Sequence, residues 1–384
     1  MLVLERTADS TSRPGAQVLS PRAVAELDAL GFTDADTHDW HRSAGVRFVG
    51  GGMRLALAWP DVAGRPGRGF VRSRAALDST LSAYAVSRGA RLRRATEVTD
   101  FTTDATGRVN GVTAEGLTVE AAVVIDASGG TVSPRAARSG VAATADFVSP
   151  RHTDDHLESW LELTDAEGSR LPGHGWIIGR GDGHVTVGVG ALADDTSATP
   201  DTCAFVLQQW LTALPATWSL TEGTMTGPVS GSSLGAARPA GPRYSSGVLR
   251  VGDAGQLADP LTGEGLSAAL VSGRLAAGVV AQALALEGAA EREGALAAYD
   301  TLVGSSLGRG RTVRRAAARL IDRPWVAHAA TTHALPREGL MKLVLGRLTT
   351  PDNPAVETCV TTSTMGRVTR AAAHPGNERG VDQR

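Results

Sequence analysis

The spacing of apolar residues changes period several times along the 384-residue chain. "MLVLER" at the start is a short apolar run ending in an acid, the pattern of a buried strand. In "SPRAVAELDALGF" apolar residues return every three or four positions. Ser20 supplies an N-cap, Pro21 a first helical position and Gly31 a stop, so a helix is predicted. "VRFVGGGMRLALAW" alternates like a strand, and "RAALDSTLSAYAVSRGA" reads as an amphipathic helix ending at Gly89. "GRVNGVTAEGLTVEAAVVIDASGG" predicts a hairpin feeding an apolar strand, Val123 to Ile125, closed by a glycine turn.

A second β-rich region covers roughly residues 145 to 235. Its clearest part is "HGWIIGRGDGHVTVGVGAL", two strands joined at Asp182-Gly183, and "DTCAFVLQQWLTAL" inserts a helix. After residue 290 the pattern is helical, with a basic segment "GRGRTVRRAAARLIDRPW" and then "GLMKLVLGRL". From about Gly376 the composition is that of a frayed tail. There is no internal repeat. The order of strands, helices and glycine turns predicts an α/β nucleotide-binding domain whose segments return after excursions into a β-rich one.

Composition narrows the class. Hydrophobic residues are 42% and charged residues 20%, as in soluble globular proteins, and the length allows more than one domain. A net charge of -2 gives no field for nucleic acid. Cys203 and Cys359 are far apart without metal-type spacing, which fits a reducing cytoplasm and excludes a disulfide framework. No signal peptide precedes the first strand. The longest apolar run, around 266 to 286, is interrupted by Ser272, Gly273 and Arg274 and is read as a core helix, not a span. A cytoplasmic protein is expected.

The chemistry concentrates in "LRVGDAGQLADPLTGEGLSAALVSGRLAA", residues 249 to 277. Val248 to Val251 form an expected central strand, and Gly252 allows a tight turn. Asp253 can accept hydrogen bonds from ribityl or ribose hydroxyls. Gly263, Glu264 and Gly265 open a helix near Leu266, whose N–H groups and dipole suit an electron-rich ring edge or a phosphate. A glycine-rich turn capping a buried helix is the plainer reading, and it leaves Asp253 and Pro260 without a purpose. Glu5, at the end of the first strand, stands where dinucleotide folds place the acid that takes the adenosine ribose.

On "VLER", "LSPRAVAELDALG", "VRSRAALD", "SPRHTDDHLESWLEL", "LPGHGW", "GDGHVTVGVG", "MTGPVSG" and "VGDAG…DPLTGEGLSAALVSGRLAA", the chain resembles the FAD-dependent geranylgeranyl reductase family, from Met1 to about residue 350. It is most similar to the bacterial branch that reduces a double bond in the menaquinone side chain. The resemblance implies a p-hydroxybenzoate hydroxylase-like fold. Residues 1–40, 70–145 and 240–300 would form the FAD-binding domain, 41–69 and 146–239 the β-rich substrate domain, 301–350 C-terminal helices and 351–384 an irregular tail. It further implies that Glu5 binds the AMP ribose of FAD, Asp253 the ribityl–diphosphate region, and Gly263 to Leu266 the isoalloxazine. Arg74 is either a cofactor contact or a structural ion-pair partner.

The implied activity is delivery of hydride from reduced flavin to an isoprenoid C=C bond in an apolar tunnel, with NAD(P)H or another reductant as electron source. His174 is the candidate proton donor. A flavin monooxygenase or tailoring oxidoreductase on the same scaffold is one alternative, and a truncated, non-catalytic family member is another.

Four departures from the family pattern matter. Family members begin with a strand and a G-x-G-x-x-G turn that cradles the pyrophosphate. This sequence starts at the second strand, which predicts a gap in the parallel sheet with two open edges. A start placed downstream of the true one, or a remnant that binds FAD poorly, accounts for this; in-frame upstream DNA separates the two. Gly15, Ala16 and Gln17 stand where some relatives carry Cys-Gly-Asp. The substrate-pocket motif survives only as His174, Trp176, Ile178, Gly179, Gly188 and Gly190. Gln256 replaces a usual glycine, and Asp259 a usual asparagine.

Three further signals are decoys or undecided. "HTDDH" spaces His152 and His156 like metal ligands, but a strand follows and no metal is expected. "GSSLG", residues 231 to 235, fits G-x-S-x-G without its strand–turn–helix context. The basic segment with Arg309, Arg311, Arg314, Arg315 and Arg319 is either a solvated face or a peripheral contact with the inner face of the cell membrane.

Overall fold

The computed structural model describes residues 1–9, 14–34, 36–61, 67–129, 140–163, 173–192, 199–234, 242–308, 311–321 and 324–349. The polar tail from residue 350 lies outside them.

The parallel strands of the fold come in two pieces. β1 (Leu2–Leu4) pairs with β7 (Arg91–Arg93), and β11 (Val124–Asp126) pairs with β18 (Val248–Arg250), which carries antiparallel β17 (Tyr244–Ser245) on its far side. Among the described residues β1 has no sheet partner but β7, and β11 none but β18. Two parallel edges are therefore open, as the pattern of strands predicts.

Local signals account for the helices. In α1 (Pro21–Leu30) the Ser20 hydroxyl accepts the Ala23 N–H, and Gly31 ends the helix in the left-handed region at φ 93°, donating its N–H back to Asp28 and Leu27 carbonyls. α2 (Arg74–Ser87) is capped in the same way by Ser73. α4 (Leu266–Leu284) is long and apolar enough to cross a membrane by composition alone. Its apolar residues have a nearer use: Val271, Leu275 and Val279 pack with Leu296, Tyr299 and Val303 of α5 (Ala289–Leu307) and with Leu249 of β18. A buried ion pair pins α4 to α1, Arg274 Nε donating to Glu26 Oε2 at 2.7 Å.

A small antiparallel sheet, β2 (Ala16–Leu19), β6 (Gly69–Ser73) and β3 (His41–Ser43), lies beside these helices. The expected hairpin of β9 (Val109–Ala114) and β10 (Leu117–Glu120) is present and gains a third strand, β8 (Val98–Thr103).

The large sheet has seven strands in the order β16, β12, β15, β14, β13, β4, β5. These are β4 (Gly45–Gly50), β5 (Met53–Ala58), β12 (Gly140–Val148), β13 (His156–Trp160), β14 (Gly173–Gly179), β15 (His184–Leu192) and β16 (Ser230–Leu234). The predicted hairpin at Asp182-Gly183 joins β14 to β15, with Gly183 at φ 90°. The boundary expected between residues 145 and 146 falls inside β12. Side-chain alternation divides the sheet. On one face Val141, Ala143, Ala145, Ile177, Val187 and Val189 pack under Cys203, Val206, Leu207 and Trp210 of α3 (Pro200–Ala213). The other face carries the even-numbered positions of β12, β14 and β15, among them every residue of the pocket motif except Gly179.

α6 (Arg311–Ile321), α7 (Pro324–Ala329) and α8 (Glu338–Thr349) close the described chain. α8 seats Leu345 and Met341 on Val46, Leu57 and Trp59 of the β4–β5 end.

Removing one partner of a buried ion pair leaves an uncompensated charge. Glu26→Gln should therefore lower unfolding free energy by roughly 3 kcal/mol, read from urea midpoints. The double variant Glu26→Leu/Arg274→Met should recover most of that loss.

Candidate functional site

The chain between β18 and α4 is held from both sides. At Gly252 the backbone turns through φ 53°, and its N–H donates to Ser272 Oγ of α4 at 3.0 Å. A Cβ at Gly252 would lie 3.2 Å from that of Ala269, so turn and helix are in contact. A 3-10 turn, Gly252–Gly255, ends at Gln256, itself left-handed at φ 54°. That conformation explains why glycine suits this position, since an L-residue there costs about 1 kcal/mol.

The next residues are clamped by α6. The Arg311 guanidinium donates to the carbonyls of Leu257 (2.6 Å), Ala258 (2.9 Å) and Gln256 (2.8 Å). Burial and the neighbouring Arg315 push Arg311 down to about 10, which leaves it charged near neutrality. Asp259 Oδ1 accepts the N–H groups of Leu261 and Thr262, and its other oxygen pairs with Arg314 Nε at 2.8 Å. The Asp259 N–H donates to the Glu264 carbonyl, and the N–H of Gly263 (φ 72°) to the Asp259 carbonyl, so half-buried Pro260 sits in a closed six-residue loop. Arg311 and Arg314 thus point inward. For these two the solvated-face and lipid-face readings are both corrected. Arg309 and the Arg319 side chain fall outside what is described.

This framing brings Glu264 and Gly265 to the start of α4. No side chain caps Gly265, the residue before α4. Glu264 Oε1 accepts the Ser267 N–H at 2.8 Å, while burial holds the Glu264 carboxyl above its usual range. A Cβ on Gly265 would come within 3.0 Å of Asp253 Oδ1. That oxygen is buried and has no hydrogen-bond partner, and burial raises the Asp253 carboxyl, partly opposed by the charge of Arg74. A buried acceptor facing a Cβ-less helix N-terminus fits a hydroxylated, electron-rich ligand such as the ribityl–isoalloxazine part of a flavin.

Arg74 opens α2. Its backbone N–H donates to the Gly15 carbonyl at 2.9 Å, and its side chain pairs with Asp78 and reaches Gln17 Oε1 at 3.5 Å. The ion-pair role is therefore realised, and its field reaches Asp253. Gly15 in turn donates its N–H to Asp146 Oδ2 at 3.2 Å, and Asp146 pairs with Arg180 at 3.1 Å and accepts from Thr186 Oγ1. Asp146 ties the even face of the large sheet to the starts of β2 and α2. Sequence reasoning missed Asp146, Arg180 and the Arg311 clamp. A composition signal for the clamp was present, because Arg314 supplies the charge that Asp259, unlike asparagine, requires.

On that even face, Trp176 lies flat across β15. A Cβ on Gly188 would come within 2.3 Å of the indole and one on Gly190 within 3.0 Å, so both glycines make room for this ring. His174 stacks at 5.6 Å between ring centres, tilted by 53°, and burial pushes its imidazole below the usual value. Ile178 is buried beside them. Glu5 stands at the end of β1, on the other parallel piece, its carboxylate accepting the Thr7 N–H (2.9 Å) and hydroxyl (2.8 Å).

His152 and His156 are not brought together on a helix face: His152 lies in a turn and His156 begins β13. Ligand atoms of Asp154, Asp155 and His156 lie within 4.8 Å of one another, but Asp154 is paired with Arg47 and Arg151, which hold its carboxyl low and oppose a cation. "GSSLG" begins within β16, a strand with no nucleophile turn.

No family model matches the chain. It is 32% identical over 356 residues to the menaquinone reductase of Mycolicibacterium smegmatis, covering 87% of this chain and 82% of that protein. It is 29% identical over 313 residues to digeranylgeranylglycerophospholipid reductase 1 of Methanopyrus kandleri, covering 74% of each. The geranylgeranyl bacteriochlorophyll reductase-like protein of Thermoplasma acidophilum superposes with a TM-score of 0.70 at 18% identity, over 91% of this chain and 89% of that one. The fold is that of the p-hydroxybenzoate hydroxylase-like flavoproteins.

Two outcomes test this framework. A carboxyl whose folded pKa is raised binds its proton more tightly when folded, so its contribution is full below the ordinary range near pH 4 and is lost as pH rises through the folded value. Asp253→Asn should therefore stabilise the cofactor-free protein at neutral pH, with the gain in melting temperature shrinking towards pH 4. Arg311→Gln should lower stability by roughly 3 kcal/mol through loss of charge-assisted hydrogen bonds, and Arg311→Lys should restore only part, measured by chemical unfolding.

Proposed function

We propose, from the premise that this chain belongs to the FAD-dependent geranylgeranyl reductase family, that it is an oxidoreductase saturating C=C bonds of a polyprenyl chain, on a menaquinone or a geranylgeranyl group. The two relatives are named for substrates with unrelated head groups, a quinone and a glycerophospholipid. What menaquinones and digeranylgeranyl lipids share is an unsaturated isoprenoid chain, and that chain is the part a common site would recognise. The single observation that carries the cofactor reading is the orphaned Asp253 carboxylate oxygen facing bare Gly265 at the start of α4.

FAD, when bound, supplies the hydride chemistry, with NAD(P)H or another reductant as electron source. Gly263, Gly265 and Leu266 would let a flat ring approach the helix start, where the dipole favours electron density. Asp253 would accept hydroxyl hydrogen bonds from the ribityl region, and Gly252 keeps its carboxylate next to the helix. Pro260 and the Arg311 clamp hold the loop rigid, so the binding surface is formed before the ligand arrives. Glu5 would take the adenosine ribose. Arg74 would steady Asp253 electrostatically. Trp176, Ile178 and the bare backbone of Gly188 and Gly190 offer an apolar wall to a prenyl chain. Burial disfavours the charged imidazolium of His174, the form that would give a proton to the carbon opposite the hydride, so His174 would serve as donor only after taking up a proton. The enzyme would work in the cytoplasm on chains presented at the inner face of the membrane.

Purified protein supplied with FAD should quench flavin fluorescence on binding, and Asp253→Asn should weaken that binding by about tenfold, the loss of one charge-assisted hydrogen bond. With a chemical reductant, a prenyl quinone should gain two mass units per saturated bond. Absence of bound flavin at saturating FAD overturns the cofactor reading. Oxygen insertion with uncoupled NAD(P)H oxidation replaces the reductase by a monooxygenase.

A further inference from the structure

We propose that the outward face of α8 docks the protein onto the surface of an anionic lipid bilayer. The proposal rests on the prenyl-lipid reading above, and its test does not depend on turnover. α8 is apolar on two faces. Met341 and Leu345 turn inward onto the β4–β5 end of the large sheet. Leu340, Leu343 and Val344, spaced i, i+3 and i+4, are 42%, 58% and 38% exposed. α6 touches α8 through Arg314 Nη1, which donates to the Arg347 carbonyl at 3.4 Å. An exposed row of large aliphatic side chains on a helix already anchored by its opposite face needs a partner.

Charge identifies that partner. Residues 308–349 contain nine basic residues and two acidic ones, Asp322 and Glu338, a formal +7 in a chain of net -2, which leaves -9 for the remainder. Arg311 and Arg314 are engaged with the 256–259 loop, but Lys342 and Arg347 flank the exposed row, and among the described residues Lys342 pairs with Glu338 across open solvent. A second copy of this chain would oppose one basic face to another and be repelled. Residues 350–384 hold four basic and four acidic residues and so bring no complementary charge. A surface that is negative and apolar beneath satisfies both features, with aliphatic side chains entering the acyl boundary and cationic ones staying at the headgroups.

The test is sedimentation of the full chain with vesicles of phosphatidylglycerol mixed with phosphatidylcholine, against vesicles of phosphatidylcholine alone. Binding to the mixed vesicles should be at least about tenfold tighter and should fall as salt rises. The triple variant Leu340→Ser/Leu343→Ser/Val344→Ser should weaken it by at least about tenfold. That variant should keep the wild-type melting temperature, and its reduction of detergent-dispersed substrate should be unchanged. Equal binding to both vesicle types, or a triple variant that binds like wild type, overturns the proposal. So does a wild-type dimer that the triple variant converts to monomer, which assigns the face to self-association. Vesicle binding by a protein that reduces no prenyl chain would leave docking intact and remove the reductase reading alone.

Discussion

The site depends on keeping one carboxylate oxygen, Asp253 Oδ1, buried and unpartnered beside the Gly265 start of α4. Left to itself, a loop with Gly252, Gly255, Gly263 and Gly265 would sample many conformations, and glycine loses more backbone freedom on ordering than any other residue. The structure offsets that loss with anchors outside the loop. Ser272 holds the Gly252 amide, Arg311 gathers three successive carbonyls, and Arg314 holds Asp259, whose backbone closes on Glu264. With the loop fixed, Asp253 Oδ1 stays buried, and burial raises the Asp253 carboxyl above its ordinary value. Groups held in an unfavourable state in the free protein are those a ligand can relieve on binding.

The helix α6 ties two local departures from the family pattern together. A glutamine in a left-handed position and an acid in place of an amide would each burden the turn on its own. Arg311 accepts the backbone orientation at Gln256 by bonding its carbonyl, and Arg314 neutralises the acid at Asp259. A change in α6 therefore acts on the 252–265 loop through main-chain geometry.

How much of this was legible in the sequence depended on whether the signal was local. The caps of α1, the Asp182-Gly183 hairpin and the start of α4 each rest on a few adjacent residues, and all three stand where the pattern predicts. β2, β3 and β7 have three or four residues, too few for a period to show, and exist because neighbours pair with them. The direction of Arg311 was not legible either. A run of arginines on an amphipathic helix reveals charge spacing, while the side that faces the protein is set by a loop some fifty residues away in sequence. The open edges of β1 and β11 followed from strand order alone, because parallel neighbours must be adjacent in space and none of the described strands lies between them.

The even face of the large sheet shows how strand alternation carries specificity. Because side chains alternate strictly, Trp176, Gly188 and Gly190 share a face with Asp146 and Thr186, while Ile177 and Val187 build the core under α3. A tryptophan indole can lie flat on a sheet only where the facing residues lack a Cβ, so the two glycines and the ring form one unit. The motif residues that differ from the family, an imidazole at 174 and an isoleucine at 178, flank that unit on the same strand. They can change the shape and polarity of the wall without moving the ring. Asp146 fixes this face relative to Gly15, and Gly15 relative to Arg74, whose charge opposes the rise of the Asp253 carboxyl. Substitution at 174 or 178 is thus free to reshape this face, while the 256–259 loop stays where α6 puts it.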